Sequence, residues 1–141
     1  MKLGFKQLIN DLRNRRYRFR QVIGVAFMLF IALNSDPVHP LLWFGIGIAG
    51  LGAFIRLWAA GYVRKSKELE MQGPYSFVRH PQYLGNTLLA IGICLAAGHP
   101  LAIIGWVIIL YLFYLPAIRR EDDKLHRRFG EEWEAWNAET P

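Results

Sequence analysis

The stretch LLWFGIGIAGLGAFIRLWAAGYV, residues 41–63, decides the fold. As a helix rising about 1.5 Å per residue it reaches roughly 35 Å, more than a hydrocarbon core about 30 Å thick. Its one charge is Arg56. Gly45, Ala49 and Ala53 recur at four-residue spacing, an edge along which a second helix can approach closely. The spacing predicts a membrane-spanning helix with one packed edge.

Three further apolar runs flank it. VIGVAFMLFIAL, residues 22–33, covers only about 18 Å as a helix. It spans if residues 17–21 are drawn in with their arginines snorkelling to the headgroups, and is otherwise re-entrant or interfacial. A third run, residues 83–97, is opened by Pro81 at a favourable first-turn position. The fourth, residues 101–118, follows a tight GHP connection, so the two should form an antiparallel hairpin, with Pro116 kinking the end of the last helix. The expected architecture is an all-α membrane bundle, one domain over residues 1–141. Its spans fall near 21–34, 41–63, 82–98 and 101–118, after a basic segment 1–20 and before an amphipathic helix 119–137. In that helix Ile118, Leu125, Phe129, Trp133 and Trp136 share a face, and Asp123/Arg127 and Arg128/Glu132 would pair on the other.

Charge sets the orientation. Residues 1–20 hold seven Lys or Arg against one Asp; Arg64, Lys65, Lys67 and Arg79 lie between the second and third runs, and five more cations follow the fourth. The connections NSDPVHP and AGHP hold neither Lys nor Arg. Four spans with both termini in the cytoplasm satisfy the positive-inside rule at every connection. The formal charge of +6 therefore reads as membrane topology and not as a nucleic-acid surface, since the aromatic residues accompany apolar runs. Cys94 is single and sits in an apolar run, so it reads as an inert thiol; the histidines at 39, 80, 99 and 126 lack metal-ligand spacing, and no metal is expected. No cleavable signal peptide is evident.

The chemistry concentrates on the expected cytoplasmic side. GPYSFVRHPQYLGN, residues 73–86, places Arg79 and His80 at the start of a helix whose first N–H groups lack intrahelical partners, a ready site for an anion. Arg56 lies about two turns inside its run, where it either faces a polar cavity or snorkels. Glu121 adjoins the end of the fourth span.

Together, GPYSFVRHPQYLGN and REDDKLHRRFGEEWEAW resemble the superfamily of isoprenylcysteine carboxyl methyltransferases and phospholipid methyltransferases, over roughly residues 56–136. The resemblance implies a multispan helical enzyme of a bacterial or archaeal cell membrane that binds S-adenosylmethionine at the cytoplasmic face. Carried over by position, the cofactor site would comprise Arg79, His80, Pro81, Tyr83, Gly85 and Glu121. Arg56 and Arg79 are the candidates for aligning a methyl acceptor, expected to be a membrane lipid or a lipid-like or prenylated molecule. A carboxylate acceptor needs a cation beside it and no base; an ethanolamine phospholipid needs a general base, His80 or Glu121. The closer resemblance is to the carboxyl methyltransferases. The alternatives are phospholipid N-methylation, a sterol reductase, against which the chain length argues, and a non-catalytic membrane protein retaining the fold. Asp122 departs from the family's second glutamate, Trp133 and Trp136 stand in place of tyrosines, and the stop at Pro141 would omit a lid or part of a lipid-binding surface.

Overall fold

Small residues on two faces of one helix organise the molecule. The computed structural model describes Phe19, residues 22–62 and residues 69–141. The basic segment 1–20, apart from Phe19, and the cations at 64, 65 and 67 lie outside the described residues. The described residues form helices and no strand: α1 (Val22–Leu33), α2 (His39–Tyr62), a 3₁₀ turn (Gly73–Ser76), α3 (Pro81–Ala96), α4 (Ala102–Phe129) and α5 (Glu131–Glu139).

On one face of α3, Gly85 and Gly92 meet Gly52 and Gly45 of α2. A Cβ at Gly92 would lie 2.6 Å from the Gly45 carbonyl oxygen, and one at Gly85 2.8 Å from that of Gly52. Backbones this close gain dispersion contacts along the whole seam, the main source of helix association where lipid replaces water. The packed edge runs through Gly45 and Ala49, as expected, and takes in Gly52. A heptad step keeps Gly45, Gly52 and Ala59 buried on one side of α2.

The other face of α3 builds the core. Ala90, Cys94 and Ala97 pack with Phe27 and Ile31 of α1 and with Trp106 and Tyr114 of α4. Trp106 is fully buried, 6.1 Å from the Phe27 ring and 5.4 Å from that of Tyr114. Cys94 is buried and free, in keeping with an inert thiol.

α2 and α4 are long and apolar enough to cross a membrane. Their outer faces leave Trp43, Phe44, Leu51, Phe54 and Leu57, and Ile104, Val107, Ile108 and Leu112, exposed. A core helix of a water-soluble protein would bury such residues. α1 and α3 rise about 18 and 24 Å, short of a full hydrocarbon core.

The last helix departs from expectation in two ways. α4 runs through residue 129 without the boundary expected near 118. Pro116 cannot bond the carbonyl four residues back and crowds it; the helix answers with a π-helical turn, Leu110–Tyr114, and continues. The break comes instead at Gly130, whose φ of 52° lies where a side chain is strained. The expected single amphipathic helix 119–137 is thus two helices with a sharp turn between them.

The connections lacking Lys and Arg share one end of the bundle. The Asp36 N–H donates to the Ala97 carbonyl at 2.8 Å, and the His99 ring contacts the Asn34 carbonyl at 2.6 Å. The start of α3 lies at the other end, together with α5.

Candidate functional site

At that other end four segments enclose an open cleft of about 270 Å³. One wall is the stretch from Leu69 to Tyr75. The floor is the start of α3, Arg79 to Tyr83. The opposite wall is a single stripe of α4, in which Glu121, Lys124, Leu125, Arg128 and Phe129 follow helical spacing, closed above by Trp136 of α5. Charged groups of both signs stand beside aromatic and aliphatic surface, the lining expected of a site for an amphiphilic organic ligand.

Asp122 ties the floor to the wall. His80 Nε2 lies 2.9 Å from its Oδ1, and Arg79 Nη1 lies 3.5 Å from its Oδ2. The Tyr83 hydroxyl donates to Glu121 Oε2 at 3.1 Å, and the Tyr83 ring stands edge-on to His80 and to Tyr114. The cleft is therefore coupled by aromatic contacts to the core around Trp106. His80 occupies the N-cap of α3 without bonding the helix through its side chain, and Pro81 is buried at the first turn. Arg79 Nε is buried with no partner among the described residues.

Of the residues singled out by sequence, Arg79, His80, Pro81, Tyr83 and Glu121 come together around the cleft. Gly85 does not; it serves the α2–α3 seam. Arg56 also stands outside the lining. Its Nη1 donates to Asn86 Oδ1 at 2.6 Å, and its side chain is otherwise exposed. By helical spacing Asn86 lies about one turn, roughly 5 Å, deeper along α3 than Gln82 and Tyr83. The expected Asp123/Arg127 and Arg128/Glu132 pairs are absent from the described ion pairs; Arg128 lies 5.6 Å from the centre of the Phe129 ring, and His126 bridges the Gly130 turn to Glu134 at 2.7 Å.

Sequence reasoning missed three participants. Asp122 reads as a departure from a family pattern, yet it is the partner of both Arg79 and His80. Tyr75 and Asn137 gave no signal beyond their neighbourhood to the motifs. Burial, reinforced by the charges of Glu121 and then Glu70, pushes the Tyr75 phenol up to about 12, so it stays a neutral hydrogen-bond donor in the cleft. The ordinary value is 10.0. Between these two pH values the folded protein keeps a proton that the unfolded chain releases, so this contribution to stability is complete below 10 and lost as pH rises through 12. Absorbance titration should show one phenolate appearing late, near pH 12, that Tyr75→Phe removes.

The profile of phospholipid methyltransferases matches residues 46–132, more than half of the chain and every cleft residue except Trp136. The chain belongs to the phospholipid methyltransferase family. Among curated relatives of this family member, the nickel-cobalt-cadmium resistance protein NccN of Alcaligenes xylosoxydans xylosoxydans is 33% identical over 136 residues, 92% of this chain and 63% of its own. The cobalt-zinc-cadmium resistance protein CzcN of Cupriavidus metallidurans is 33% identical over 148 residues, 96% of this chain and 66% of its own. A probable protein-S-isoprenylcysteine O-methyltransferase of Oryza sativa subsp. indica is 30% identical over 134 residues, covering 82% and 70%. The chain thus spans just under two-thirds of the length of the two metal-resistance relatives. No solved structure matches. Among the described residues no group of three or more His, Cys, Asp or Glu side chains is placed to hold a metal ion.

Proposed function

We propose that this protein is an integral-membrane methyltransferase that uses S-adenosylmethionine at the cytoplasmic membrane face and methylates a lipid-like acceptor, a carboxylate of the isoprenylcysteine kind. The observation that carries the reading is the convergence of Arg79, His80, Tyr83 and Glu121 on one cleft at the end of an apolar bundle. Four crossings with both termini inside accord with the cation-free connections meeting at the end opposite the cleft. α1 and α3 complete their crossings through flanking residues and local thinning of the bilayer.

The cleft residues fit the cofactor by their chemistry. The uncapped start of α3 and Arg79 Nε, without a partner among the described residues, favour a carboxylate, while Glu121 favours an ammonium or a ribose hydroxyl. Phe129, Leu125 and Trp136 offer apolar surface beside them. When bound, S-adenosylmethionine supplies an electrophilic methyl group on a sulfonium. The chain's contribution is positioning and exclusion of water, since a carboxylate acceptor is ionised without a base. The exposed Arg56–Asn86 pair, one turn deeper, is the place this reading gives to the acceptor carboxylate. Arg56 keeps donors beyond the one given to Asn86, and a planar fork suits a carboxylate.

A second reading, N-methylation of an ethanolamine lipid, is favoured by the His80–Asp122 contact, because a carboxylate on one ring nitrogen orients the other to take a proton. Purified protein in lipid nanodiscs should bind S-adenosylmethionine and transfer label from it to a prenylcysteine acceptor. Transfer only to the ethanolamine lipid would replace the carboxylate reading; binding of no donor would leave a non-catalytic membrane protein. Glu121→Gln should weaken donor binding by about 1.5–3 kcal/mol through loss of a charge-assisted hydrogen bond. Glu132→Gln, exposed at the start of α5 and outside this cleft, should change it little. Equal effects from the two would place Glu121 outside the donor site.

A further inference from the structure

Arg79 lies in irregular backbone between the 3₁₀ turn and α3, so neither a helix nor a sheet ladder fixes its place. Its backbone and side-chain donors must find partners elsewhere. Two of them do so in the segment after Gly130. The Arg79 N–H donates to the main-chain oxygen of Pro141 at 2.9 Å, and Arg79 Nη1 donates to Asn137 Oδ1. A third attachment runs from the Trp136 indole N–H to the Tyr75 carbonyl at 3.2 Å. Trp136 and Thr140 are only 6% and 5% exposed, so this segment is packed down and not laid over the surface.

We propose that residues 136–141 form a clamp in which Asn137 is a positioning residue, holding the Arg79 guanidinium at the floor of the cleft for the anionic end of the donor. The clamp lies beyond residue 132, where the family match ends. Two partners divide the work on the guanidinium. Asp122, 3.5 Å away, balances charge. The Asn137 amide oxygen fixes orientation without adding charge, which leaves Arg79 cationic toward a ligand. The price of that fixed pose is visible at Nε, a buried donor with no partner among the described residues. An acceptor atom on a ligand would relieve it. Gly130 makes the arrangement possible, since its left-handed turn returns α5 across the start of α3.

The ligand side of this inference rests on the proposed donor; the positioning side does not, and the test separates them. In full-length protein in nanodiscs, Asn137→Ala should raise the KM for S-adenosylmethionine about tenfold while kcat at saturating donor changes less than threefold. Asn137→Asp, which keeps an acceptor oxygen, should return KM to within about threefold of wild type, and Glu132→Gln, outside the clamp and the cleft, should leave it unchanged. In an Arg79→Ala background Asn137→Ala should add less than twofold, because its effect passes through Arg79. Independently of any ligand, ¹⁵N-arginine spectra should show the Arg79 Nε line, assigned by its loss in Arg79→Lys, narrow in wild type and Asn137→Asp and broadened in Asn137→Ala. If Asn137→Ala fails to fold, Trp136→Phe, which removes the indole N–H together with part of the ring, serves as the second variant and should broaden the same line. An unchanged Arg79 line, or Asn137→Ala and Arg79→Ala losses that multiply, overturns the clamp. Absence of donor binding in wild type overturns the methyltransferase reading and leaves the clamp to be decided by the arginine line.

Discussion

Asp122→Asn should lower affinity for S-adenosylmethionine about 100-fold, with methyl transfer falling at least as far. The carboxylate is shared by His80 at 2.9 Å and Arg79 at 3.5 Å, so one substitution weakens two charge-assisted contacts. Each such contact is worth about 1.5–3 kcal/mol, and a loss of roughly 2.7 kcal/mol in binding already amounts to two decades. The amide retains an oxygen for one partner but not the charge, and its NH₂ turns a donor toward one of two donors. Calorimetric titration of the donor, with thermal unfolding run alongside, checks it. Wild-type affinity in a folded Asp122→Asn protein would reduce the network to a surface ion pair. Asp122→Glu restores the residue type of the family pattern, yet its longer stem must be accommodated against both partners. It should recover part of the loss and no more.

Gly92→Ala should destabilise the protein by about 2–3 kcal/mol, at the upper end of overpacking costs. The new Cβ would lie 2.6 Å from the Gly45 carbonyl oxygen and 2.7 Å from the Ala49 Cα, both backbone atoms that cannot rotate away. The helices must separate, and every dispersion contact along the seam weakens with them. Since Gly85 belongs to the same seam and Arg79 to Tyr83 precede it directly, donor binding should weaken in parallel. Gly47→Ala is the matched control. Its Cβ meets nothing within 4 Å, so stability should hold or rise slightly with helix propensity. Thermal or denaturant unfolding in detergent compares the two. Equal stability of the Gly92→Ala and Gly47→Ala proteins would mean that the seam is looser than its backbone distances require.

What the chain determined by itself is the material of the fold and the location of its chemistry. The apolar run over residues 41–63 requires a long helix, because only a helix satisfies its own backbone where water is absent. The motif GPYSFVRHPQYLGN marks the start of α3 through Pro81, and its arginine, histidine and tyrosines stand at the cleft because that helix start is also the cleft floor. Lys and Arg were segregated by connection, and the cation-free connections do meet at one end of the bundle.

Only the tertiary structure decided which side chains share the site. Arg56 and Arg79 look alike as rare cations near a bundle end, yet one turn of depth and the rotation of α2 send Arg56 to Asn86 while Arg79 enters the cleft. Gly85 lies within the motif but faces the α2–α3 seam, because helical rotation points successive residues about 100° apart. Asp122 looks like a weakened copy of a glutamate until α4 continues past residue 118 and brings it against His80. That continuation depends on a π turn before Pro116, a compromise no local pattern announces. Periodicity could not reveal the break at Gly130 either, since the apolar positions on both sides fit one helical repeat. A left-handed φ at that glycine turns α5 back onto Arg79 and Tyr75, joining residues some sixty positions apart. Local sequence specifies what each segment is; long-range packing specifies what each side chain touches.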